Sequence, residues 1–397
     1  MKKVEAFLNS DVLMEILSRI PAKELLSLKR VCKEWRRMIS SRSFAKLHVG
    51  RAAGAGDAGL SGFILQERFV WCSDDIREVS YIPVDETARS NSTVLDFLPE
   101  DVVVLASCKG LVCCRSYFPC ESPVVYVCNP CNRDCVRLDW PWKVPHYYGR
   151  KIRSVALALA FDVDASKGFI DTFKLVRVRK VEQEDEDGEL VECYFTFELF
   201  SSEKGSWKQS SEICKCHCNL GKNEGLYIEG VLYWLTDGGW VLIFDVEKEL
   251  ACMVPPPVPA AEYTAIPEVC IGESEGRVQY VVVSEQGFHV WSLEDYYEVN
   301  WRLVYSKCLE EIEGEWPEFF IKLKKYVLER VNGAWVNPLA FKDGLLLMKV
   351  CMGLYLFDIK NNRMVQACSN IQDLRSVCMF NPIVLPYSLS FVQLSPN

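Results

Sequence analysis

The sequence predicts a small α-helical module joined by a short linker to a large all-β domain, a six-bladed β-propeller, and three observations carry that prediction. Apolar residues recur at the 3.6-residue helical period through residues 10–48. After residue 62 the period falls to 2 and stays there to the end of the chain. Within that second part a pair of short apolar runs recurs loosely about six times, the mark of a radial repeat. The expected organisation is a helical module at 1–48, a linker at 49–61 and a β domain at 62–397.

The first helix is marked by Val12, Leu13, Ile16, Leu17 and Ile20, with Ser10 as N-cap and Asp11 favourable in the first turn. Pro21 ends it, because proline disfavours the helical conformation of the residue before it, and then opens the next segment. That segment carries Leu25, Leu28, Val31, Cys32, Trp35, Met38 and Ile39, with one break near Val31, so two or three short helices are expected. A module this small cannot bury all these side chains by itself. Each one that finds a partner gains about 1.5–3 kcal/mol, which implies a partner surface. Residues 50–59, rich in Gly and Ala and without periodicity, read as a linker.

In the β region, Tyr194 to Phe200 alternates apolar and polar residues. A strand opening at Gly110, Gly230 and Gly344 is followed each time by a paired strand that ends in Asn129, Asp245 or Asp358. Residues 279–283 with 288–292 make a fourth such pair, and residues 62–83 and 154–208 are two more divergent units. Six units over 62–397 exceed the ~40–50 residues of standard propeller repeats, so long loops are expected near 138–152 and 182–192. A β-sandwich or two smaller β domains are the alternative architectures.

Composition narrows the function classes. Apolar residues make up 49% and charged residues 25%, as in globular proteins, and no apolar run approaches the ~20 residues that span a bilayer. Asn9, Ser10, Asp11 and Glu15 interrupt any signal-peptide core, so the expected location is cytoplasm or nucleus. The 19 cysteines are accordingly read as reduced, packing as small hydrophobes. Net charge is -9, but residues 1–51 hold 12 Lys/Arg against 5 Asp/Glu, or +7, leaving -16 for the remainder. An acidic body argues against nucleic acid, and the basic module suits an acidic protein partner.

Phe7-Leu8-Asn9-Ser10-Asp11-Val12-Leu13-Met14-Glu15-Ile16-Leu17-Ser18-Arg19-Ile20-Pro21, followed by Leu25, Val31-Cys32-Lys33-Glu34-Trp35, Ile39, Phe44 and His48, resembles the F-box motif. The motif usually opens Leu-Pro, and here Asn9 follows Leu8. The body is similar to the F-box-associated, kelch- or propeller-like domain of plant F-box proteins. The similarity rests on Cys108-Lys109-Gly110-Leu111, Val127-Cys128-Asn129-Pro130, Ala158 to Asp162, Gly205-Ser206-Trp207, Ile228 to Trp234 and Asn300-Trp301. The resemblance implies a non-catalytic substrate receptor of an SCF-type cullin-RING ubiquitin ligase. The F-box would dock on a Skp-family adaptor, and through it on cullin and a RING protein, while the β domain binds a protein target for degradation. It assigns adaptor contact to Leu8, Val12, Leu13, Ile16, Leu17, Ile20, Pro21, Leu25, Val31, Cys32 and Trp35, some of which must pack the module's own core.

The remaining constellations are weaker. Gly54 to Gly59 fits G-x-G-x-x-G literally but has no βαβ unit around it, so nucleotide binding is not expected. Cys214-Lys215-Cys216-His217-Cys218 and Cys128-Asn129-Pro130-Cys131 offer soft ligands without the paired spacing of structural zinc, so neither metal nor cofactor is expected. With four histidines, no G-x-S-x-G and no H-E-x-x-H, catalysis has no positive support. The acidic run at 182–189 reads as a solvated hairpin tip. Trp140, Trp142, His146, Tyr147 and Tyr148, on a proline-rich loop, are the candidate substrate contacts, with packing over a neighbouring blade as the alternative. A β-propeller scaffold acting outside any ligase is the rival function.

Overall fold

The computed structural model describes residues 9–54, 59–68, 76–84, 94–117, 122–140, 156–161, 172–184, 190–221, 224–318, 320, 336–350, 353–367 and 382–394. Four helices come first: α1 (Ser10–Leu17), α2 (Ala22–Leu28), α3 (Lys33–Ile39) and α4 (Arg42–Gly54). The cap of α1 is Asn9 rather than Ser10, its Oδ1 accepting the Asp11 N–H at 3.2 Å. Pro21 sits at the N-cap of α2, as its missing N–H allows. The break near Val31 is real, and Cys32 restarts the chain as the N-cap of α3, its sulfur accepting from the Trp35 N–H at 3.4 Å.

The fourth helix was not expected, and it enters the segment read as linker. Its first turn is held by the Ser41 hydroxyl, which accepts from the Phe44 N–H at 3.2 Å. Its last turn is tied back to α1 by Arg51, which donates to the Glu15 carbonyl at 3.0 Å, pairs with the Glu15 carboxylate at 2.5 Å and contacts the Ser18 hydroxyl. Ala52 and Ala53 favour helix, and the tertiary anchor at Arg51 offsets the cost of Gly50. Residues 55–58 of the expected linker lie outside the described residues.

The rest is β structure. β1 (Gly62–Arg68) and β2 (Ile76–Pro83) pair antiparallel. Three four-stranded antiparallel sheets follow: β3 (Val102–Cys108), β4 (Leu111–Ser116), β5 (Val124–Asn129) and β6 (Asp134–Asp139); β7 (Ala156–Ala160), β8 (Lys174–Glu184), β9 (Leu190–Ser201) and β10 (Ser206–Lys215); β11 (Leu226–Ile228), β12 (Val231–Leu235), β13 (Val241–Asp245) and β14 (Leu250–Val254). An eight-stranded sheet comprises β15 (Glu268–Ser274), β16 (Arg277–Ser284), β17 (Gly287–Asp295) and β18 (Asn300–Lys307), then β19 (Val336–Lys342), β20 (Leu345–Val350), β21 (Gly353–Asp358) and β22 (Arg363–Gln366). Its halves meet through the parallel pairs Gly272↔Phe341 and Glu273↔Lys342, and α5 (Leu309–Glu315) follows β18. Finally β23 (Ile383–Tyr387) returns antiparallel to β1, so both ends of the domain share the sheet β2-β1-β23. The arrangement is propeller-like.

The repeat seen in the sequence has a backbone cause. Lys109-Gly110, Glu229-Gly230, Glu275-Gly276 and Asp343-Gly344 all have positive φ at both residues and close two-residue turns of the kind whose twist suits antiparallel strands. The polar residue ending each later strand, at Asn129, Asp245, Asp295 and Asp358, accepts backbone N–H groups of the next turn at 2.7–3.1 Å. Four residues on, Arg133, Glu249, Val299 and Asn362 take positive φ in turn. Successive sheets are sealed by large apolar side chains, as where Phe197 stacks on Phe244 at 4.3 Å between ring centroids.

Trp140 follows β6, donates its backbone N–H to the Pro123 carbonyl at 3.2 Å and is half-buried against the core of the first four-stranded sheet. Part of its surface packs on that core and part stays exposed. Trp142, His146, Tyr147 and Tyr148 lie outside the described residues, as do 185–189 at the tip between β8 and β9.

Candidate adaptor-docking surface

The eleven residues assigned to adaptor contact divide by the face they occupy. Leu17 (1% exposed) and Leu25 (0%) are enclosed with Ala22, Met38, Ile39, Phe44, Ala45 and Phe391, so they hold the module together and are not free to meet a partner. Leu13, Ile20 and Trp35 are half-buried against that core. By contrast Val12 (45%), Ile16 (48%) and Val31 (62%) stand in solvent, with Pro21 and Cys32 also exposed. Leu8 lies outside the described residues. The physical reason is helical register: Leu13 and Leu17 share the inward face of α1, while Val12 and Ile16, also one turn apart, form the stripe beside it.

An exposed apolar stripe on a module this small is costly unless it is covered part of the time. The module also exposes the cations Lys23, Arg30, Lys33, Arg36 and Arg37. Its net positive charge suits a partner with an acidic surface.

The buried face of the module is anchored to the β domain by the segment following β23. Phe391 (1% exposed) inserts between the helices: its ring meets Phe44 edge-on at 6.3 Å and His48 at 5.4 Å, and the Lys29 ammonium lies 4.7 Å over it. Asn129 donates to the carbonyls of Ser390 and Val392 at 2.9 and 2.6 Å, and Asn132 to those of Phe391 and Val392 at 3.1 and 2.9 Å. Gly110 supplies the space: at φ +89° a Cβ there would lie 2.4 Å from that of Ser390. The motif residues Gly110 and Asn129, read from the sequence as strand and turn markers, thus hold the tail that pins the helices. Sequence reasoning missed Phe391, which has no periodic neighbours to mark it.

Electrostatics at this seam follow from burial. His48 is pushed below the usual histidine range by desolvation and by Arg51, against a hydrogen bond of its Nε2 to the Ile20 carbonyl at 3.0 Å. Burial also lowers Lys29, and it raises Asp134, which the nearby Arg42 and Lys29 partly counter. Among the described residues no group of three or more His, Cys, Asp or Glu is placed to hold a metal ion. Cys214 and Cys216 are buried whereas His217 is exposed, so the Cys-rich run does not converge.

Comparison with known proteins agrees with this division of the chain. Residues 7–47 match the F-box domain, and residues 84–318 match the model described as F-box protein At3g26010-like, beta-propeller. The F-box protein At5g49610 of Arabidopsis thaliana is 27% identical over 331 residues, covering 79% of this chain and 83% of that protein. The putative F-box protein At4g10190, from the same plant, is 21% identical over 351 residues, 83% of this chain and 88% of that protein. Its F-box/kelch-repeat protein At3g17530 is 24% identical over 265 residues, 62% of this chain and 60% of that protein. A helical F-box pinned by its rear face to a propeller-like β body, with both parts matched in order, identifies the chain as a member of the plant F-box proteins that carry an At3g26010-like β-propeller.

Proposed function

We propose that this protein is the substrate-recognition subunit of an SCF-type cullin-RING ubiquitin ligase, working in cytoplasm or nucleus. The F-box implies interaction with a Skp1-type adaptor. Val12, Ile16 and Val31, with Pro21 and Cys32 beside them and Leu13, Ile20 and Trp35 at the margin, are the proposed adaptor contacts, and the adaptor in turn brings cullin and the RING protein. The observation that carries this reading is the exposed apolar stripe on a module whose other side is fixed to the β body.

The receptor makes and breaks no bonds in this scheme. It raises the effective concentration of the target's lysines near a charged ubiquitin-conjugating enzyme, so its contribution is placement. The β domain is read as six blades. That count is supported by the narrow, two-pair join between β15 and β19, which divides the eight-stranded sheet into two four-stranded halves, and by the shared sheet of β1, β2 and β23. We keep the organisation as F-box to residue 48, connection at 49–61 and β domain from 62, with α4 extending into the connection.

The test is reconstitution. Purified full-length protein mixed with Skp-family adaptor, cullin and RING protein is expected to co-elute as one complex. Elution apart from the adaptor, under conditions where another F-box protein assembles, would favour the scaffold function instead.

A further inference from the structure

We propose that Cys193 and Cys216 form a reversible cross-strand disulfide, a redox modification site on the outer edge of the second four-stranded sheet. The pairing of β9 with β10 carries it. Tyr194 lies opposite Lys215 and Phe195 opposite Cys214, so one further step along the ladder sets Cys193 opposite Cys216, where the Cys216 N–H donates to the Cys193 carbonyl at 3.0 Å. Residues directly opposite each other on antiparallel strands send their side chains to the same face. Their Cα atoms stand about 4.5–5.5 Å apart, inside the range a disulfide spans.

The Cys193 thiol also reaches across the ladder, donating to the Cys216 carbonyl at 2.6 Å, and both side chains belong to the face that carries Phe195 and Cys214. Cys193 is half-buried at the end of the sheet where β8 and β9 approach their connecting turn, so a small oxidant reaches it from solvent. Cys216 is enclosed behind it. The Lys180 ammonium on β8 lies near both sulfurs, held there by the Glu182 carboxylate at 3.0 Å and Asn219 Oδ1 at 3.0 Å, and it favours the Cys216 thiolate. Burial works the other way on Cys216, raising it to about 12, and Cys193, the more exposed of the two, is the thiol an oxidant reaches first.

With a hydroperoxide as oxidant the step balances. The Cys193 thiolate attacks the peroxide oxygen, the O–O bond breaks, and with hydrogen peroxide one water leaves as the sulfenic acid forms. The Cys216 sulfur then attacks Cys193, the S–O bond breaks, a second water leaves, and the S–S bond closes. Two thiols are oxidised by two electrons, and one hydrogen peroxide is reduced to two waters. A dithiol reductant reverses the bond by exchange.

Another pair shares this register without sharing its chemistry. Cys128 stands opposite Cys135 across β5 and β6, but Cys128 is fully enclosed beside Cys114 while Cys135 is exposed. It therefore serves as an internal control. A disulfide between Cys193 and Cys216 would tie edge strand β10 to its neighbour. It would also restrain residues 216–219, which reach the turn after β12 where Asn219 bonds Asp237.

The experiment treats the folded full-length protein with stoichiometric hydrogen peroxide, blocks remaining thiols by alkylation, and maps peptides by mass spectrometry before and after dithiothreitol. The expected result is one new cross-link, Cys193 to Cys216, with the loss of two hydrogen masses, fully reversed by the reductant. In Cys216→Ser, peroxide should leave Cys193 as a trappable sulfenic acid, which shows the partner's role even if the wild-type bond is brief. The proposal is overturned if both thiols remain alkylatable, or if Cys193 links to another cysteine. A Cys128–Cys135 link formed in preference would overturn it as well.

Discussion

Replacing Phe391 by alanine should release the helical module from the β domain while leaving the β sheets folded. The side chain is enclosed on every side, so its loss removes the transfer energy of a buried ring and leaves a cavity, about 3–5 kcal/mol for Phe→Ala. Part of that is specific to this seat: two edge-on ring contacts, to Phe44 and His48, at roughly 0.5–1.5 kcal/mol each, and a cation over the ring face worth about 0.5–2 kcal/mol. At about 1.4 kcal/mol per decade, the amides of α2, α3 and α4 should exchange roughly two to four decades faster. The amides of β12, β13 and β16, remote from the tail, should not change. Asn129 and Asn132 still hold the tail backbone, so the lesion is confined to the ring. Native-state hydrogen exchange measures both regions in one experiment. Helical protection that stays within about 1 kcal/mol of wild type would refute the claim that Phe391 is the anchor, and equal loss in the β sheets would show that the two parts unfold as one unit.

Val299 is a β-branched residue at φ 53°, where an L side chain is strained by about 1–2 kcal/mol, and the matching turn position after β21 holds Asn362. Val299→Asn should therefore stabilise the β domain by about 1 kcal/mol in urea unfolding, and an unchanged or lower midpoint would show that the valine makes compensating contacts. The pKa of His48 is lower folded than unfolded, so the unfolded chain binds more protons as the pH falls below its ordinary value near 6.5. That contribution is present above 6.5 and is lost below it until the folded histidine itself titrates. Wild type should lose more melting temperature between pH 7.5 and 5.5 than His48→Gln; parallel losses would show that His48 and its neighbour Arg51 do not govern the seam.

The amphipathic stripe of the helical module was legible because burial forces apolar residues to recur every three or four positions. Which side of the stripe faces inward was not. Val12 and Ile16 look like Leu13 and Leu17 in sequence, and the decision is made by tertiary packing against Leu25, Ile39, Phe44 and Phe391, the last arriving from far along the chain. Helix α4 escaped notice for a related reason: Gly50 and Gly54 argue locally against helix, and the Arg51 to Glu15 pairing that overrules them is tertiary. Conversely, the repeat at Gly110, Gly230 and Gly344 was readable because a two-residue turn needs a residue that accepts positive φ, a purely local demand. The Cys193–Cys216 pairing depends on strand register and on the length of the β8–β9 hairpin. A run of alternating residues does not reveal either.

The central claim is that Val12, Ile16 and Val31 are the adaptor-facing surface, and calorimetric titration of a Skp-family adaptor into the full-length protein tests it most directly. Because these side chains are already solvated, Ile16→Asp and Val31→Asp should leave the melting temperature within about 2 °C of wild type, as exposed substitutions of roughly ±0.5 kcal/mol do. Each should weaken adaptor binding at least tenfold, since a desolvated carboxylate in an apolar contact costs well over 1.4 kcal/mol. Full affinity retained in a folded Ile16→Asp, Val31→Asp double variant would contradict the account and place the adaptor contact elsewhere on the molecule.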